Sequence, residues 1–175
     1  MNLNLGNYPG YFHYIVRHKP AKPKMKPNNQ LIILVTMLLL SPVAYGQNVH
    51  TITLQVDTDQ IIKSNVNEVC NFGQAQGISN EDFTIIVAQG DTVRWEGVST
   101  STPDRDEVEI TGINHEGGAR IFGKNKLNGE GGMVIGVVTH GREGDEEIYK
   151  VSFKVYNNGV KRNGTFHIDP KLRVK

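Results

Sequence analysis

Apolar and polar side chains alternate with a period of two through much of the last third of the chain, a spacing that sends successive side chains to opposite faces of a strand. From Tyr149 to Val155 the set Tyr149, Val151, Phe153, Val155 interleaves with Lys150, Ser152, Lys154. From Phe166 to Val174 the set Phe166, Ile168, Leu172, Val174 interleaves with His167, Asp169, Lys171, Arg173. Both segments predict strands with one wet face. Between them, Asn158-Gly159 and Asn163-Gly164 supply the positive φ that tight turns need, so a terminal β-hairpin is expected. Pro170 cannot donate to a ladder and predicts a bulge or an exposed edge in the last strand.

The same alternation recurs upstream. Thr51 to Val56 turns Ile52, Leu54 and Val56 to one side, and the runs Phe83 to Ala88 and Thr92 to Glu96 flank the turn Gln89-Gly90-Asp91. Fainter strand signals lie at Val108 to Ile113, Arg120 to Phe122 and Met133 to Thr139. No long stretch has a 3.6-residue period, and eleven of the 19 glycines fall between Gly97 and Gly144, a density that disfavours helices. Short strands with polar turns predict an all-β, Greek-key sandwich of about seven to eight strands, with Trp95 in its core.

The N-terminal part reads differently. Leu31 to Leu40 is an unbroken run without charge, preceded by Arg17, Lys19, Lys22, Lys24 and Lys26 and followed by Ser41-Pro42-Val-Ala-Tyr-Gly46. Ala44 and Gly46 are the small residues a signal peptidase accepts, so residues 1–46 are expected to form a signal peptide cut between Gly46 and Gln47. The run is shorter than the roughly 20 apolar residues a membrane span requires, and no stable membrane anchor is expected after cleavage. Its basic flank is over-long for a leader. Met25 therefore marks the expected start of translation. The predicted working protein is a single domain over residues 47–175, secreted or held in a periplasm.

Removing the leader changes the charge. All 18 acidic residues lie beyond Gly46, while five of the 19 basic ones precede it, which leaves a net charge of −4. Such a surface is not built to neutralise phosphates, and no nucleic-acid partner is expected. Cys70 is the only cysteine, so no intramolecular disulfide can form and the fold must rest on its core. The thiol itself is expected to be a small buried apolar group.

The segment Phe83-Thr-Ile-Ile-Val-Ala-Gln-Gly-Asp-Thr-Val-Arg-Trp95 is similar to the opening of cupredoxin-like domains, where a strand, a Gly-Asp turn and a second strand ending in an aromatic residue recur. The resemblance implies a cupredoxin-like sandwich, with an immunoglobulin-like arrangement as the other frame this pattern suits. The family's copper site, with a cysteine, a histidine and often a methionine near the last hairpin, does not carry over. Tyr149 to Val174 contains neither Cys nor Met.

Candidate chemistry is sparse. If a soft metal binds, His115, His140 and Met133 are the residues to examine first, although neither His-x-His nor Cys-x-x-Cys spacing supports them. Asp104 to Glu109 and Glu143 to Glu147 place hard oxygen donors in predicted loops, without the spacing of a calcium-binding loop. Asn163-Gly-Thr165 matches a glycosylation acceptor but doubles as a turn. The chain has neither Gly-x-Ser-x-Gly nor His-Glu-x-x-His, and no phosphate-cradling loop. The expected function is a non-catalytic binding or structural module without a cofactor, its partner a protein or a glycan met by the glycine-rich segment Gly97 to Gly144. Metal handling with unusual ligands is the second expectation, and a hydrolase assembled from distant loops the third.

Overall fold

The computed structural model describes residues 46–175. The expected leader and the start at Met25 therefore lie, but for Gly46, outside the described residues. The chain runs through β1 (Val49–Val56), a one-turn helix α1 (Val66–Val69), β2 (Cys70–Asn71), β3 (Thr84–Val87), β4 (Thr92–Ser99), β5 (Glu107–Gly118), β6 (Lys126–Asn128), β7 (Val134–Val137), β8 (Glu146–Asn157), β9 (Val160–Lys161), β10 (Phe166–Ile168) and β11 (Lys171–Val174). Four strands form one sheet in the order β2-β1-β4-β7, and the second runs β3-β11-β8-β5-β6 with β9 and β10 also paired to β8. This is the predicted all-β sandwich. Seven strands have four residues or more; β2, β6, β9 and β10 are shorter pieces.

Each sheet contains one parallel pair, which alternation alone does not specify. β1 runs parallel to β4, Val49 opposite Thr92 through Val56 opposite Ser99. β11 runs parallel to β3, Lys171 opposite Thr84. The first and last strands of the domain are thus laid beside internal strands, and no helix among the described residues is long and apolar enough to cross a membrane.

The terminal hairpin forms as expected, and Pro170 divides its last strand without a bulge: β10, before the proline, pairs only with β8 and is an edge, whereas β11, after it, lies between β8 and β3. Phe166 faces Phe153, Ile168 faces Val151 and Lys171 faces Ile148, so one register holds on both sides of the proline. Pro170 is buried, and its carbonyl accepts the Tyr149 N–H at 3.2 Å. The ladder lacks only the amide hydrogen that proline does not have, too small a loss to shift the strand. The expected strand at Arg120 to Phe122 is instead a turn. Its Ile121 and Phe122 side chains are buried, and the Ile121 N–H bonds a side chain in place of a neighbouring strand.

The inward faces meet as the alternation predicts. Ile52, Leu54, Val56, Val93 and Trp95 of one sheet pack against Tyr149, Val151, Phe153, Val155 and Leu172 of the other. Trp95 lies edge-on to Phe122 and Tyr149, with ring centroids at 5.3 and 5.7 Å. Its Nε1–H donates to the Tyr149 hydroxyl at 3.2 Å, which satisfies two polar atoms that would otherwise be stranded in the core. Cys70 is buried as expected, and burial first, then the Asp57 charge, pushes its thiol up to about 12. At neutral pH it is held as the unreactive thiol.

The glycine-rich segment is a packed part of the sandwich. It contains β5, β6 and β7. A Cβ at Gly97 would lie 2.4 Å from Val108 Cγ1, and one at Gly129 would lie 2.3 Å from the Ile110 carbonyl oxygen. These glycines let strands approach; they do not loosen a recognition loop.

Candidate functional site

Two neighbouring cavities share a border between the segments 61–68 and 162–167. The first, about 400 Å³, is lined by Lys63, Ser64, Asn67, Glu68, Thr165 and His167. The second, about 420 Å³, continues past Ile61, Ile62, Arg162 and Asn163. Lys63 and Phe166 border both, and each volume is in the range of small-molecule sites.

One wall is the segment 61–68. Ile61 anchors it in the core at 1% exposure. The Asn65 side chain holds its curve by accepting the Ile62 N–H at 2.8 Å and donating to the Gln60 carbonyl at 3.0 Å. The other wall, 162–167, leads into β10, where Phe166 is buried against Phe153. Arg162 ties this wall to the stretch just before the first: its guanidinium donates to the Thr58 and Asp59 carbonyls at 2.8 Å each, and its Nε donates to Asn157 Oδ1 at 2.5 Å.

Behind this tie lies a buried polar cluster. Thr58 Oγ1 is within 2.8 Å of Ser99, Ser101 and Asp106. Asp106 also accepts from Asn157 Nδ2 at 2.7 Å and the Asn158 N–H at 2.9 Å. The Asn158 N–H above all, with Thr58 and Arg105, holds the Asp106 carboxyl below the usual range against the cost of burial. Four separate chain segments are joined here, so the groove beside them is pre-formed.

Lys63 is exposed, and its side chain reaches toward the opposite wall. A Cβ at Gly164, whose φ is +99°, would lie 2.8 Å from Lys63 Cε and 3.2 Å from its Nζ. A side chain at Gly164 would displace the tip of the lysine. Among the described residues, no carboxylate is within ion-pair distance of its ammonium.

The residues singled out from sequence are scattered. His115 Nδ1 is 3.0 Å from Glu147 Oε1, and Glu147 Oε2 accepts the Ile121 N–H at 2.7 Å. Burial pushes the Glu147 carboxyl up, against the opposing pull of His115 and the Ile121 and Phe122 N–H groups. His140 is exposed and bonds its neighbour Thr139 at 2.8 Å. Met133 borders a separate cavity with Asn128, Glu130 and Ile135. It follows Gly132, whose carbonyl accepts from Ile110, whereas the His115 N–H bonds the Asn125 carbonyl five residues further along β5. At about 3.3 Å per strand residue the two lie far apart, and the three candidates do not converge.

The acidic runs also disperse. Asp106 turns inward, Glu109 lies by Lys154 at 3.6 Å, Glu146 pairs with Arg173 and Glu147 points into the core. Among the described residues, no group of three or more His, Cys, Asp or Glu side chains is placed to hold a metal ion.

Two contacts went unread in the sequence. Ser152 Oγ lies 3.1 Å from His167 Nδ1 on the outer face of the second sheet, because β8 and β10 pair those residues directly. No hydrogen bond joins His167 to Asp169, whose Oδ1 is buried without a partner. Asp91 of the Gly-Asp turn is the second. Oδ1 accepts the Asn48 N–H at 3.0 Å, and Oδ2 accepts the Ala88 N–H and lies against His50 Nε2, each at 2.8 Å. Burial works to raise this carboxyl, but the Ala88, Asn48 and His50 bonds outweigh it and hold it at about 2. The turn that carries the cupredoxin-like resemblance is thus the clasp for the incoming end of β1.

No family model matches the sequence, and no curated protein matches it. Among solved structures the chain is similar to the PixA inclusion body protein of Burkholderia cenocepacia, with a TM-score of 0.54 and 14% identity over 77% of this chain and 99% of that one. At that identity the likeness is one of fold, and it defines the class to which the domain can be assigned: a mostly-β sandwich.

Proposed function

We propose that the protein is an exported, non-catalytic binding module on a cupredoxin-like frame, and that its ligand is a glycan seated in the groove between residues 61–68 and 162–167. The observation that carries this is the pair of neighbouring cavities that share Lys63 and Phe166, beside the Arg162 tie to Thr58 and Asp59. Their hydroxyl, amide and carboxylate side chains suit the vicinal hydroxyls of a sugar, and Phe166 offers an apolar border. The strand, Gly-Asp turn and strand over residues 83–95 support the cupredoxin-like frame.

Catalysis is disfavoured by where the Ser152 and His167 pair lies. β8 is flanked by β5 on one side and by β10 and β11 on the other, so the ladders take up its backbone N–H groups and leave none to stabilise an oxyanion. Export rests on the leader pattern. N-terminal sequencing of the protein purified from the extracellular or periplasmic fraction should begin at Gln47; an intact leader in the cytoplasm would refute it.

A glycan array probed with the purified protein should give binding that a groove-filling Ser64→Trp substitution abolishes without lowering the melting temperature. Binding untouched by that substitution would move the site elsewhere. A second reading, a structural module that packs against copies of itself, draws on β7. There Ile135 and Val137 are 54% and 48% exposed on an edge strand, and the similar fold is that of an inclusion body protein. Sedimentation at rising concentration should show association that Ile135→Lys removes.

A further inference from the structure

We infer that the groove is selective for an acidic saccharide, one that carries carboxylates on its rings, and that Lys63 is the residue that reads the charge. This rests on the groove being a glycan site. Lys63 lines both cavities, so a chain lying along both comes within reach of this residue. The other cation nearest the groove is already committed: Arg162 donates to two backbone carbonyls and to Asn157. Lys63 has no such partner among the described residues.

Its side chain reaches toward the opposite wall. Lys63 Cε and Nζ lie 2.8 and 3.2 Å from where a Cβ of residue 164 would stand, and the φ of +99° at Gly164 favours glycine there. A lysine stem laid across a backbone surface loses less freedom on meeting an anion than one waving in solvent. Glu68, in the first cavity, opposes a second carboxylate close by and suits a hydroxyl donor instead. The pattern is one anion at the junction, with hydroxyl-bearing ring on either side. The net charge of −4 on residues 47–175 provides no general attraction for polyanions, so recognition depends on this local cation.

The test is calorimetric titration of the purified protein with oligogalacturonate, alginate oligomers and hyaluronan oligomers, each beside its carboxyl-methyl-esterified form. At least one acidic oligomer should bind about tenfold more tightly than its ester, the worth of one charge-assisted contact. Lys63→Gln should remove that preference by weakening the acid about tenfold while leaving the ester unchanged, and Lys63→Arg should retain it. Gly164→Ala should weaken the acid in the same selective way by displacing the lysine. Equal binding of acid and ester, or a preference that survives Lys63→Gln, overturns the charge-reading role and leaves the glycan groove intact. If neither form of any oligomer binds and the glycan array is also blank, the glycan reading falls with it.

Discussion

Asp91 and Glu147 are buried to the same extent, each with 1% of its surface exposed, yet their carboxyls move in opposite directions. The difference lies in what each backbone setting can donate. Asp91 sits in a turn, where the N–H groups of Ala88 and Asn48 are not consumed by a ladder and converge on both of its oxygens, joined by His50. Glu147 sits within β8, whose own N–H groups face the neighbouring strands. It draws its donors from His115 across the sheet and from the turn at Ile121 and Phe122, and burial prevails. Equal burial therefore says little about charge; the supply of unspent donors decides it.

The comparison breaks most severely at Asp91. Asp91→Ala leaves the donors of Asn48, Ala88 and His50 without their shared acceptor, and unclasps β1 from the β3–β4 turn. We expect a loss of about 3 kcal/mol, read as a fall in the urea midpoint at unchanged slope. The effect has a definite pH signature. Because the folded carboxyl is held at about 2, below its ordinary value of 3.8, its stabilisation is complete above that ordinary value and is lost as pH falls toward 2. Asp106 and Asp82 are also lowered, the first chiefly by the Asn158 N–H and the second chiefly by the Ser79 hydroxyl, then Lys171. The acid limb should therefore flatten in Asp91→Asn without disappearing.

His115→Ala sharpens the other side. It removes one of the few donors Glu147 has, so the carboxyl should be pushed further up. Stability should fall by about 2 kcal/mol at about pH 8, and by less at about pH 4, below the carboxyl's ordinary value of 4.5, where the protonated acid no longer needs the partner. Equal losses at both pH values would mean that His115 acts only by packing. His50→Ala is the matched change at Asp91 and should cost less, about 1 kcal/mol. The His50 side chain is 28% exposed, water can replace it, and the backbone donors stay in place.

Much of this contrast could be read from the chain, though not all of it. Alternation set the inward phase of β8 through Tyr149, Val151, Phe153 and Val155, and stepping back by two reaches Glu147. That phase was the signal for a buried acid, but the crowding of Glu143, Asp145, Glu146 and Glu147 resembles a solvated turn and hid it. At Gly90-Asp91 the turn was legible and its task was not, because the partners Asn48 and His50 are brought in only by the parallel pairing of β1 with β4. The groove was least visible of all. Its walls lie about a hundred residues apart, with Arg162 bonded to two backbone carbonyls just before the first, an arrangement with no periodic trace. The glycine-rich segment drew attention instead because glycine count registers in composition, whereas close packing such as that of Gly97 against Val108 does not.

The smallest change is the most discriminating. Glu147→Gln keeps the size of the side chain, keeps a carbonyl that can accept the Ile121 N–H, and removes a charge that burial already opposes. The folded carboxyl is raised above its ordinary value of 4.5, so whatever Glu147 contributes is fully present below that value and lost as pH climbs through the raised one. A glutamine has no such window. At about pH 8 the variant should lie within about 1 kcal/mol of the parent, on either side, where removing the matching charge at Asp91 is costly. At about pH 4 its stability relative to the parent should be lower than at pH 8, because there the parent holds a neutral acid in the same place. A large loss at pH 8 would show that the ionised carboxylate, for all its burial, is the form the fold requires, and the two acids would then differ only in degree.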